Sequence, residues 1–139
     1  MTISEDSKKI IVKEFEYIIQ QMKGTKDPFE KLYFYSGMSA TLSRIFNINY
    51  DPLLQYIHFI LQVSHSTIEG KVREISGGIE KVIKIPDGFF TTFQNALEEL
   101  KNCIKTNQDV NTSLVKIVNL TYVVTGNGFY LFKKGVLKI

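Results

Sequence analysis

The sequence predicts an α+β fold that is mainly helical: three N-terminal helices, a short strand, a fourth helix, and a C-terminal β-hairpin or meander. Apolar residues recur at spacings of three and four behind helix-capping residues through the first 76 positions. A β-branched run, "EKVIKIP" (80–86), breaks that register. The end of the chain is dense in Val, Ile, Thr and Tyr around a "GNG" turn signal.

The first helix is expected over 4–23, with Ser4 accepting from its free N–H groups and Ser7 as an alternative start. Ile11, Phe15, Ile18, Ile19 and Met22 share one face, and Gly24 ends it. Asp27 caps the second helix, with Pro28 in the favoured first position and Glu30 in the third. Its stripe runs from Phe29 and Leu32 through Tyr35, Met38, Leu42 and Ile45. Within it, "SGMSA" is a weak helix former and marks a bend or a close helix approach. Asp51 and Pro52 start a third helix by the same device.

Beyond "SGG" (76–78), the run 80–86 reads as a short strand. Asp87 caps a fourth helix of about 20 residues, burying Phe90, Phe93, Ala96, Leu97, Leu100 and Ile104. "LVKIVNLTYVVT" (114–125) reads as a strand pairing through "GNG" with "FYLF" (129–132), and "KKG" turns into "VLKI". A helix over 112–124, capped by Gly126, competes, because Leu114, Ile117, Val118 and Thr121 also fit a helical spacing. β-branching favours the strand. Without repeats or a long linker, residues 1–139 read as a single domain, with the β-hairpin at 114–139.

At 139 residues, 44% hydrophobic and 22% charged, the chain can bury its own core without disulfides or a metal. The lone Cys103 excludes an intramolecular disulfide and a cysteine-rich zinc site, and fits a reducing compartment. The acidic start is not that of a secretory signal, and "LLQYIHFILQV" is about half a bilayer span. The expectation is a cytoplasmic protein with no membrane partner. Residues 110–139 carry +4 and the remainder −1, so the overall +3 belongs to the C-terminal segment.

From Leu54 to Ile75 the chain resembles helix-turn-helix, winged-helix-like DNA-binding domains. Leu54, Ile57 and Leu61 match the buried positions of a first helix, Val63 the apolar turn residue and Ser64 the cap of a second helix. Thr67, Ile68, Val72 and Ile75 complete the pattern, which gives a candidate helix-turn-helix at 52–76. The resemblance implies that Ser64, His65, Ser66, Thr67, Glu69 and Lys71 lie at or near the major groove, with Arg73 on phosphate. Lys133 and Lys134 on the hairpin would support them, and "GGIEKVIKIP" would open a wing. The sequence departs from the pattern at Gln62, where such families favour glycine, and at His58, where they favour a small residue. Leu54, Ile57, Leu61, Ser64, Ile68, Lys71 and Ile75 equally form one face of an unbroken helix, with Val63 pointing off it.

The expected function is that of a small DNA-binding transcriptional regulator, with duplex DNA as partner. The alternative is a non-catalytic protein-interaction or homodimerisation module, suggested by the strand edge expected at "FYLFKKGVLKI". No phosphate-loop pattern is present, and the adjacent Glu98 and Glu99 diverge around a helix. His58 and His65 lie about 10 Å apart along a helix, too far to share a metal by themselves. Neither an enzyme, a cofactor nor a metal is expected.

Overall fold

The computed structural model describes residues 3–48, 50–76 and 88–125, with side chains up to 72 in the third helix and 122 in the fifth. The described residues form five helices: α1 (Glu5–Lys23), α2 (Pro28–Ile48), α3 (Pro52–Ser76), α4 (Phe89–Lys105) and α5 (Asn111–Thr125). No strand occurs among them, which corrects the α+β expectation to an all-helical one. The expected strands at 80–86, 129–132 and 136–139 lie outside the described residues.

Local chemistry sets the helix starts. Ser4 Oγ accepts from the Ser7 N–H at 3.3 Å. Asp27 and Asp51 each accept from the N–H two residues on, Phe29 at 3.0 Å and Leu53 at 2.8 Å. Asp109 repeats the bond to Asn111 at 2.9 Å, ahead of α5. Gly88 opens α4 with φ 78°, a left-handed conformation in which glycine has no Cβ to clash, and Asp87, the cap expected there, lies outside the described residues.

The segment 114–125, expected as a strand, is α5. Leu114, Ile117, Leu120 and Thr121 are buried on one side of it, against α3 and α4. An alternating pattern would place Lys116 on the face of Leu114 and Leu120. The helix instead turns Lys116 outward to Glu99, 2.8 Å away. Tertiary burial overrides the β-propensity of a valine-rich run.

"SGMSA" produces a close approach within a continuous α2: a Cβ on Gly37 would stand 3.2 Å from Ile18 Cδ1 of α1. Polar and β-branched residues inside helices satisfy themselves locally. Thr41 donates to the Gly37 carbonyl at 2.9 Å and Thr67 to that of Val63 at 2.8 Å.

The packing order is a closed ring, α1–α2–α3–α5–α4 and back to α1. Short connections make α1, α2 and α3 successively antiparallel, and likewise α4 and α5. Lys8, early in α1, donates to Asn107 just past α4 at 3.3 Å, so those two helices run antiparallel. A ring of five cannot alternate throughout, and the exception is α3 with α5. Leu53 and Val110 line one small cavity, and Ser64 bonds Thr121 eleven positions further along each helix. Phe15, Tyr35, Phe89 and Phe93 fill the interior among Leu54, Ile57 and Leu61.

Candidate functional site

Helix α3 runs unbroken through Gln62, Val63 and Ser64, so the residues that resemble a helix-turn-helix form one helix of 25 residues. The backbone therefore makes no turn where the resemblance requires one. The side chains it implicates separate accordingly. Ser64 is 3% exposed and sits 2.7 Å from Thr121 Oγ1 of α5. Because Thr121 donates to the Ile117 carbonyl at 2.7 Å, Ser64 is the donor in that pair. His65 donates from Nε2 to the Leu32 carbonyl of α2 at 2.9 Å, and Nδ1 lies 3.8 Å from Glu69. Ser66 is exposed, and Thr67 and Lys71 are half-buried. The side chain of Arg73, and Lys133 and Lys134 altogether, lie outside the description.

The same helix carries a second apolar stripe, which the sequence betrays only in Val63 lying off the core face. Between α3 and α5 is a groove of about 170 Å³. Phe59, Ile60, Val63 and Thr67 line it from α3, and Val118 and Tyr122 from α5, with the Ser64–Thr121 pair at its base. Among the described residues no charged one borders it. Phe59 is 63% exposed, and Val63 and Tyr122 about half exposed. Tyr56 and Val115 continue the apolar surface on the same two helices.

A second, larger cleft of about 610 Å³ lies where the α1–α2 corner meets the start of α4. Lys23, Lys26 and Lys31 line it together with Thr25, Thr91, Gln94 and Asn95, and Pro28, Phe89 and Phe90 add apolar surface. Lys31 Nζ donates to the Met22 carbonyl at 2.6 Å and to Gln94 Oε1 at 2.8 Å, tying α2 to α1 and α4. The Phe90 ring lies 5.8 Å from the same ammonium. Burial holds the Lys31 pKa below the ordinary lysine value. Sequence spacing could not reveal this cleft, since its two halves are about 60 residues apart in the chain.

Among the described residues no cluster of His, Cys, Asp and Glu could hold a metal ion, and no helix is long and apolar enough to cross a membrane. Comparison with family models, with curated proteins and with solved structures finds no match to this chain.

Proposed function

We propose that the protein is a non-catalytic interaction module whose α3/α5 face pairs with a second copy of the chain. The observation that carries this reading is the uncharged groove with exposed Phe59 at its edge. A two-fold contact requires one patch to be its own complement, with residue i meeting j and j meeting i. A protruding ring beside an apolar groove meets that condition. The groove is large enough for one ring, since a buried apolar cavity of about 150 Å³ accepts benzene. With no charge among the described residues of the patch, those side chains of two copies meet without like-charge repulsion.

Size sets the strength. Half-exposed aromatics have roughly 75–125 Å² each left to cover, so Tyr56, Phe59 and Tyr122 with two valines offer on the order of 400 Å². That falls short of the roughly 800 Å² per partner of a standard interface, so the dimer is weak and concentration-dependent. Duplex DNA finds less support, because Ser64 and His65 are committed to the interior.

Sedimentation velocity between about 10 and about 500 μM should show reversible dimerisation that persists in about 1 M salt. Phe59→Asp, at an exposed position, should leave a folded monomer. A monomer at every concentration, or a complex dissolved by salt, would contradict the proposal.

A further inference from the structure

The polar bookkeeping of the lysine-lined cleft leaves hydrogen-bond donors over. An ammonium can only donate, so Gln94 must turn its carbonyl oxygen to Lys31, and Nε2 with its two N–H groups takes the other direction. Gln94 is 5% exposed overall, and its amide nitrogen meets no acceptor among the described residues. No buried polar side-chain atom there is left without a partner, so that nitrogen is open to solvent. Lys31 spends two of its three N–H donors on Met22 and Gln94. Both of those acceptors are neutral. Among the described residues no carboxylate pairs with Lys23, Lys26 or Lys31. Glu30 stands nearby, but its carboxylate accepts from the Thr25 hydroxyl.

We infer that this cleft binds a small phosphate ester, its oxyanion taken by Gln94 Nε2, Lys31 and the exposed Lys23 and Lys26. The chemistry of the occupant follows from what is left over. Amide donors that meet no protein acceptor, and three cations that no carboxylate among the described residues pairs with, call for a group that only accepts and carries negative charge. The volume of about 610 Å³ lies within the range of small-molecule sites and exceeds what a bare ion fills. Pro28 and the half-buried Phe90 supply an apolar wall for an organic body. The lysines converge on one concavity rather than spreading along a face, which suits a small ligand better than a polynucleotide.

Three probes separate the parts: inorganic phosphate, adenosine monophosphate, and adenosine as the uncharged control. Titrations of the full chain, followed by the Gln94 side-chain amide in nitrogen–proton NMR spectra, should saturate with both phosphates, more tightly with the nucleotide. Adenosine should leave that amide unmoved. Gln94→Glu keeps the shape, reverses the two donors to acceptors and gives Lys31 an anion. It should hold or raise the melting temperature while weakening both phosphates at least about tenfold. Lys26→Gln, at an exposed position, should weaken them about two- to threefold, and it serves if the first variant folds poorly. No saturable movement of Gln94 up to about 50 mM of either phosphate would overturn the assignment. So would undiminished binding by Gln94→Glu, or adenosine binding as well as its monophosphate.

Discussion

Tyr35 is wholly buried and joins three helices, its ring 5.4 Å from His65 of α3 and 5.2 Å from Phe93 of α4. Its hydroxyl donates to the Leu61 carbonyl at 3.1 Å. Burial pushes the phenol well above its ordinary pKa. The folded state therefore releases this proton at higher pH than the unfolded state does. The contribution to stability is complete below about pH 10, the unfolded value, and is lost as pH rises beyond it. Tyr35→Phe should cost about 1 kcal/mol at neutral pH through the lost bond. Above about pH 10 the difference should shrink, because only the wild type has a phenol at this position whose ionisation in the unfolded chain favours unfolding. Urea melts of both proteins at pH 7 and in alkaline buffer check this, and a constant difference would contradict it.

At the scale of elements, α3 tests its own continuity. A turn at Gln62 would favour glycine, whereas a helix interior disfavours it. Gln62→Gly should therefore destabilise by roughly 0.5–1 kcal/mol. Gly70→Ala lies in the same helix with nothing within 4 Å of the added methyl, and should stabilise by a similar amount. Thermal melts of the two variants should move in opposite directions. Helix starts at Ser4, Pro28 and Pro52 were legible because their caps act within three residues of sequence. The state of 114–125 was not. Its β-branching and its helical spacing are both real, and contact with distant α3 and α4 decides between them. The roles of Ser64 and His65 were hidden for the same reason, their partners Thr121 and Leu32 being 57 and 33 residues away. Of the groove, only Val63 gave a signal.

The five described helices divide into an antiparallel array of α1, α2 and α3 and an antiparallel pair of α4 and α5, joined along two seams and bridged between them by Lys31 and Tyr35 of α2 to Gln94 and Phe93 of α4. Along the α1/α4 seam, Lys101 is buried with Glu98 at 2.6 Å and Glu16 of α1 at 3.5 Å. The α3/α5 seam rests on apolar contact and the Ser64–Thr121 pair. Both seams join residues on opposite sides of the single stretch 77–87, while the contacts inside each unit are between sequence neighbours. The chain is in this sense two local folders sharing one core, whose docking closes loops far longer than those within either unit. Cutting the backbone between 77 and 87 would remove none of the contacts described along the seams. Two separately produced fragments, 1–80 and 84–139, should therefore reassemble on mixing and recover the helical circular dichroism of the intact protein. Failure to recover it would show that closing the ring depends on the covalent link.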